Sequence, residues 1–431
     1  MKRNKNVLVA QGGGPTPVIN ASLRGIIEGC RSYPGIFGTI YAAYYGIEGI
    51  LNEELLNLSA QPEEEIALLS TTPANGAIGT GRYKLDASQQ KDFDRIIEIL
   101  RAHDVGYFFY NGGNGSMHTA NKIAQLAVER GLDLVAVGVP KTIDNDVGDS
   151  EFKLIDHTPG YGSVARYWAL MVHTANQENA GSRATEPVLL MQVMGRKMGF
   201  IPAAARLGDP HREMPLLIAM ADSGLSLPDL ADAVNDVLRA RGRCMLVISE
   251  GFPVGDLGER KDFFGRTAWS ACRMNVERVV CNYLNDAGLA VRGTVRGNLA
   301  GSDQRHNIIC ASTVDLMEAY RVAQKAVQIA VKDGSGYMAT ILREPGLVYN
   351  MRYDKVPLQL VANSERTLPP TWIAKNRLDV TDEFVRYAQP LIGEAWPAIP
   401  LVNGLPRFAR LSPIFAEKKL PIYAPQAYQR K

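Results

Sequence analysis

Apolar residues fall into short unbroken runs that alternate with longer stretches where they recur every three or four positions, and glycine-rich turns separate the two. Asn6–Ala10 is an apolar run that breaks at Gly12-Gly13-Gly14-Pro15-Thr16-Pro17, and Val18–Arg31 then places Ile19, Leu23, Ile26 and Ile27 on one helical face. Thr39–Tyr44 reads as a second strand and Glu63–Ser70 as a helix. A glycine-rich loop with cations follows, Gly79-Thr80-Gly81-Arg82-Tyr83-Lys84. Ser88–His103 has the pattern of an amphipathic helix and Val105–Tyr110 that of a buried strand. That strand runs into Asn111-Gly112-Gly113-Asn114-Gly115-Ser116, and Met117–Arg130 is the next helix, with Ser116 as its N-cap. Leu132–Val137 is a buried strand, stopped by Pro140 within the stretch Gly138–Asp146, GVPKTIDND.

The alternation continues. Asp156–Ser163 opens a helix reaching Asn176, and Glu186–Val193 is a strand that ends at Met194-Gly195-Arg196. Pro215–Ala219 and Met245–Ser249 are further strands, the latter ending in Glu250-Gly251. Helices are expected at Leu230–Arg239, Ala268–Asp286 and Val314–Lys332, while the tail from Gly346 has strand-like pieces between Pro-rich turns. Strands alternating with helices predict α/β architecture with parallel sheets, the second half forming a domain of its own.

In such sheets ligands bind just past the carboxyl ends of the strands. Lys141, Asp144 and Asp146 stand at one such end, where a cation, a general base and a metal-binding carboxylate fit within six positions. Turns favour Asp in any case, so this loop alone also fits a charged surface turn. The two strand–glycine–helix units fit phosphate cradles, because glycine lets the backbone approach an anion and helix-start N–H groups point at it. The first is neither GxGxxG nor a Walker A sequence, and a tight strand-to-helix turn explains it as well. Two such turns beside an acidic loop, however, point to one crevice. Arg196 and Glu250 at later strand ends suit a phosphate and a sugar hydroxyl.

Composition narrows the class. With 431 residues, two or three domains with sizeable cores fit. A net charge of +2 gives no electrostatic case for nucleic acid or a membrane surface. No apolar stretch approaches a membrane span, and the five Cys show no CxxC spacing, which fits reduced thiols in the cytoplasm. His118, near a helix start, is expected to be solvated or to make a helix-end contact.

Taken in order, GGGPTPVINAS, GTGRYKL, NGGNGS, PKTIDND, DHTPGYGS, MGR, SEG and the Arg296…Gln304-Arg305 pair resemble the phosphofructokinase family over nearly the whole chain, and most closely its bacterial pyrophosphate-dependent branch. The resemblance implies two Rossmann-like parallel-sheet domains with the active site in the cleft between them, plus a C-terminal extension. Residues 1–155 with 300–345 would bind the phosphoryl donor, 156–299 the sugar phosphate, and 346–431 would pack on the core. It further implies Mg²⁺-dependent, reversible transfer from pyrophosphate to the 1-hydroxyl of fructose 6-phosphate. Asp144 would be the base, Thr142 would bond near the reacting centre, Asp146 would hold the metal or orient Asp144, and Asn114 would be a metal ligand. Gly13, Gly14, Gly113, Asn114, Gly115 and Ser116 would cradle the donor, Lys141 would bind pyrophosphate, and Arg82 and Arg196 would neutralise the transferring group. Met194 and Gly195 would line the sugar, Glu250 would bind its hydroxyls, and Arg296, Ser302 and Arg305 would surround its 6-phosphate. One family arginine comes from a neighbouring subunit, which implies a homodimer or homotetramer.

The chain also departs from the pattern. Pyrophosphate enzymes of the family resemble one another in carrying an Asp where this chain has Gly115, and that carboxylate excludes ATP. Its absence keeps an ATP-dependent 6-phosphofructokinase open as the alternative, with a binding-only relative as a third reading that the intact Asp144, Arg196 and Glu250 oppose. Pro187 stands where many relatives have a phosphate-binding Arg, for which Arg183 could substitute, and Ser302 replaces a His or Tyr.

Overall fold

The computed structural model describes residues 4–73, 76–83, 85, 88–261, 267, 269–362 and 364–429; Lys84 and Ala268, named above, lie outside them. Among the described residues the chain forms two large sheets with helices packed on them, and a two-stranded ribbon, Leu401–Val402 with Leu405–Pro406, in the tail. The larger has seven strands in the order β11-β10-β5-β4-β1-β2-β3. These are β1 Lys5–Gln11, β2 Phe37–Ala43, β3 Leu55–Asn57, β4 Val105–Gly112, β5 Val135–Pro140, β10 Tyr337–Arg343 and β11 Met351–Pro357. The five central strands are parallel, and the two edge strands, β3 and β11, run antiparallel to their neighbours. The smaller sheet is wholly parallel, in the order β7-β8-β6-β9: β6 Val188–Val193, β7 Leu216–Ala219, β8 Cys244–Ser249 and β9 Val295–Leu299.

A central strand buried on both faces reads as a continuous apolar run. β1 shows why: Val7 and Val9 pack with Leu23, Ile26 and Ile27 on one side, while Leu8 and Ala10 pack with Ile96 and Phe108 on the other. The Ile19–Arg31 helix lies against the Thr313–Lys332 helix so closely that a Cβ on Gly25 would stand 2.3 Å from the Tyr320 carbonyl oxygen. The smaller sheet has its own cores, one of them shared with Tyr161 and Trp168 of the long Tyr161–Ser182 helix.

Helix boundaries differ from the sequence reading by three or more residues at four places, one of them the helix expected from Leu230, which begins at Leu227. The helix after β4 begins at Asn114, not Met117; Gly113 is extended, and its carbonyl accepts from the Ser116 and Met117 N–H groups. Ser116 is therefore inside the first turn and is not the cap. The helix expected from Ala268 begins at Val276, capped by the Asn275 side chain, and the helix after Asp156 runs on to Ser182.

The tail does more than cover the core. Met351–Pro357 is itself a strand of the larger sheet, while Leu368, Val380, Phe384 and Leu391 pack beneath the smaller one with Phe200.

Candidate active site

The chain after β5 alternates along its length: Thr142, Asp144 and Asp146 are partly buried at the cleft, and Ile143, Asn145 and Val147, which alternate with them, are buried in the protein. This period of two turns both carboxylates to one side. Asn145 holds the inner side of the turn at φ +56°, a left-handed conformation that Asn tolerates. Its Oδ1 accepts from Thr158 N at 3.0 Å, and its Nδ2 donates to Tyr387 Oη at 2.9 Å. The loop is also pinned at its start, where Thr142 N donates to Pro159 O at 3.1 Å. Gly160 there has φ +111°, and a Cβ would stand 2.9 Å from Thr142 O, so the chain can approach this closely only without a side chain.

Burial raises the Asp144 carboxyl above its ordinary range, against the pull of Arg196, Lys141, Arg305 and Arg82. Burial, reinforced by the Asp144 charge, pushes Asp146 up to about 7. A carboxylate with raised proton affinity is suited to accept a proton at neutral pH. Asp144 N donates to Thr142 Oγ1 at 3.1 Å, which ties the hydroxyl to the same turn.

Asn114, expected as a metal ligand, faces the loop differently. Its Nδ2 donates to Asp146 Oδ2 at 3.1 Å and to Asp146 O at 3.2 Å, while the Ser364 hydroxyl lies 3.2 Å from its Oδ1. An amide N–H cannot coordinate a cation, so in this arrangement Asn114 orients Asp146. Among the described residues no three or more His, Cys, Asp or Glu side chains gather in a metal-binding group.

The glycine turn after β1 is zipped to the Gly79–Tyr83 loop. Gly13 N donates to Gly81 O at 3.0 Å, Gly81 N to Gln11 O at 3.3 Å, and Thr80 Oγ1 to Gly13 O at 3.0 Å. Lys141 is buried beneath this turn, with Nζ donating to Gly12 O at 2.8 Å and Gly14 O at 2.7 Å. Burial, then the nearby Arg82 charge, lowers its ammonium to about 7. An ammonium has three donors, and the two carbonyls take two. Above the turn two guanidinium groups converge: a Cβ on Gly14 would stand 3.6 Å from Arg305 Nη1 and 3.8 Å from Arg82 Nη2. The Asn114–Glu129 helix begins without a side-chain cap, and the first N–H groups of a helix lack intrahelical partners and favour anions.

The smaller sheet supplies the opposite wall. Arg196 follows β6 at φ +48°, held by Ser249 Oγ donating to its carbonyl at 2.7 Å and by its own N–H donating to Glu250 Oε1 at 3.1 Å. Burial pushes Glu250, at the end of β8, up to about 7. Gln304 positions the end of β6: its Oε1 accepts from Met194 N and Trp168 Nε1, both at 2.9 Å. Arg305 Nε is buried and has no hydrogen-bond partner among the described residues.

These groups line a cleft of about 720 Å³, within the size range of ligand sites. It brings together Gly13, Gly14, Arg82, Gly113, Asn114, Gly115, Ser116, Lys141, Thr142, Asp144, Asp146, Met194, Gly195, Arg196, Glu250 and Arg305. Arg296 and Ser302 do not line it. Arg296 projects from the exposed edge strand β9, with Nη1 2.8 Å from Glu178 and 3.1 Å from Glu186, and Ser302 is exposed at the start of a short turn. Arg183 is also exposed and outside the cleft, and the Pro187 ring fills space beside Gly293. His118 lines the cleft with Lys122 and Glu365. His118 and Lys122 follow Gly115 on one helix at helical spacing; Glu365 comes from the tail, where no motif marks it.

A match to the family described as "Phosphofructokinase" spans residues 6–330. The chain belongs to the phosphofructokinase family. Its nearly full-length relatives include the protein from Halomonas elongata named pyrophosphate–fructose 6-phosphate 1-phosphotransferase, 36% identical over 427 residues, covering 96% of this chain and 98% of that one. The protein of the same name from Methylococcus capsulatus is also 36% identical, with 96% and 98% covered. Among solved structures, the pyrophosphate-dependent phosphofructokinase of Nitrosospira multiformis superposes with a TM-score of 0.87 at 35% identity, over 97% of this chain and 100% of that one. The family's two-domain α/β fold agrees with the pair of sheets and the cleft described above.

Proposed function

We propose that this chain transfers the terminal phosphoryl group of pyrophosphate to the 1-hydroxyl of fructose 6-phosphate, giving fructose 1,6-bisphosphate and inorganic phosphate, reversibly and with Mg²⁺. The observation that carries this reading is the position of Asp144. It is a carboxylate of raised proton affinity, set between a wall of backbone turns and cations and a wall of strand-end side chains.

Asp144 takes the proton of the 1-hydroxyl as that oxygen attacks the terminal phosphorus. The bridging P–O bond breaks, and its electron pair leaves with inorganic phosphate. Such a reaction depends chiefly on positioning and charge neutralisation. Gly13, Gly14, Gly113, Asn114, Gly115 and Ser116 cradle the donor over the buried Lys141. Arg82 and Arg196 face the transferring group, and Thr142 bonds beside it. Met194, Gly195 and Glu250 hold the sugar, and Arg305 binds its 6-phosphate. The donor lies on the part built from residues 1–155 and 300–345, and the sugar on 156–299, with Arg305 reaching it from the donor part.

Asp146, with Asp144 beside it, offers the hard oxygen ligands that suit Mg²⁺, which commonly takes one or two carboxylates and completes its shell with phosphate oxygens and water. When bound, the ion would neutralise charge on the donor.

Arg296 stands outside its own chain's cleft on an exposed edge strand where Leu299 is also exposed. This supports a homodimer or homotetramer in which Arg296 and Ser302 serve a neighbouring site. Among the described residues no helix is long and apolar enough to cross a membrane, and we place the enzyme in the cytoplasm.

Gly115 favours a second reading, use of ATP, because it is exposed at the cleft and has no carboxylate to repel a nucleotide. Initial rates with fructose 6-phosphate and Mg²⁺, with pyrophosphate or ATP as donor, decide between them. Turnover with pyrophosphate alone supports the first reading; turnover with ATP alone replaces it with the second.

A further inference from the structure

We infer that Arg366, from the C-terminal tail, is a positioning residue that fixes the turn between Asp144 and Asp146. Its guanidinium is fully buried and clasps the turn from behind. Nε donates to Asn145 O at 3.0 Å, Nη2 to Asn145 Oδ1 at 2.7 Å, and Nη1 to Ile155 O at 2.7 Å. The Arg366 backbone N–H donates to Asp146 O at 2.9 Å. The plane of the group is covered by Phe152, whose ring centroid is 4.4 Å away.

Burying a full charge is costly unless it is well hydrogen-bonded. Here the partners are two carbonyls and an amide oxygen, and among the described residues Arg366 makes no ion pair. What the fork does is geometric. It takes both oxygens of Asn145, the one residue of the loop in left-handed conformation, and so holds the side chain inward. With Asn145 inward, its two neighbours must face the cleft.

The flanking residues extend the clasp into a strap across the site. Ser364 Oγ accepts from Gly148 N at 3.0 Å and lies 3.2 Å from Asn114 Oδ1 on the donor side. Leu368 N donates to Met198 O at 2.8 Å, just past Arg196 on the sugar side. Within five residues the tail therefore touches the donor turn, the acidic loop and the sugar wall.

The consequence for catalysis rests on the reading of Asp144 as the base; the positioning itself does not. Arg366→Lys keeps the charge but cannot reach three acceptors in one plane, and Arg366→Met removes both charge and fork. In the full-length chain, kcat is expected to fall about 100-fold in each, the size of effect that roughly 1 Å of misplacement produces, with KM for both substrates within about threefold. Hydrogen exchange of the 142–148 amides should quicken about tenfold or more, while amides of β6 and β8 stay unchanged. Should neither Arg366 variant fold, Ser364→Ala is read in the same way, with faster exchange at Gly148 and a fall in kcat of about fivefold. Unchanged loop exchange overturns the inference, as does a lower Tm with wild-type kcat. If wild-type protein turns over neither donor, the reading of the reaction fails alone, and loop exchange still decides the role of Arg366.

Discussion

The two walls of the cleft are built by different means. The wall from the larger sheet is mostly backbone: glycine turns locked by main-chain hydrogen bonds, with Lys141 clamped between the carbonyls of Gly12 and Gly14. The facing wall is mostly side chain: Arg196 and Glu250 at the ends of β6 and β8, set by the Ser249 hydroxyl and by the bond from the Arg196 N–H to Glu250, and Arg305 from the short turn after β9. A small polyanion can be enclosed by rigid N–H groups and a buried cation, whereas a sugar needs directional groups placed one by one. Asp144 stands where the walls meet. The contrast teaches that damage to the first wall should act through shape, and damage to the second through charge and hydrogen bonding.

The largest effect should come from the junction. Asp144→Ser is expected to lower kcat by about 10³-fold or more, within the range for loss of a general base, with sugar phosphate affinity nearly unchanged; near-normal turnover would remove Asp144 from that role. Lys141→Met is expected to cut kcat/KM for pyrophosphate roughly 100-fold, the scale for losing a charged, desolvated contact.

The pH profile sharpens the same contrast. Below pH 7 Asp146 and Glu250 take up protons, and above it Lys141 loses its own, since all three are moved to about 7. The dependence of kcat/KM on pH should therefore be bell-shaped with both limbs near neutrality. Arg has no comparable titration, so the alkaline limb should disappear in the residual activity of Lys141→Arg.

Shape accounts for the next contrast, within one turn. A Cβ on Gly12 would stand 2.4 Å from Ser116 Oγ and 2.7 Å from Tyr110 Oη, whereas on Gly14 it meets only guanidinium nitrogens at ordinary contact distances. Gly12→Ala should cost about 1–3 kcal/mol of stability, read as a fall in Tm, and Gly14→Ala less than about 0.5 kcal/mol. The smallest effect is expected from Gly115→Asp: pyrophosphate turnover within about twofold of wild type, and any ATP turnover suppressed. A gain of ATP activity in that variant would contradict the gate.

Most of this site was legible because its residues sit at strand ends, where an apolar run stops and the chemistry is adjacent in sequence. The alternation Thr142-Ile143-Asp144-Asn145-Asp146 shows only in the burial, because Asn145 is as polar as the two Asp residues beside it. What was not legible depends on distant partners. Arg366 lies in a tail without periodicity, and its importance appears only once Asn145 is seen turned inward. Arg296 shares a stretch with Arg305, yet β9 carries it to the sheet edge, where Glu178 and Glu186 hold it. The Asn114 amide looked like a metal ligand until Asp146 and Ser364 claimed its two ends. The start of the helix after β4 was placed three residues late because the three glycines and two asparagines of Asn111–Ser116 read as a turn, while Gly113 supplies the carbonyl that begins it.

The most direct test of the central claim runs the reaction backwards. Fructose 1,6-bisphosphate, inorganic phosphate and Mg²⁺ are mixed with the enzyme and followed by phosphorus NMR. Pyrophosphate and fructose 6-phosphate should appear in equal amounts, with no nucleotide present. If no pyrophosphate forms, while ADP in place of phosphate yields ATP, the donor assignment is contradicted.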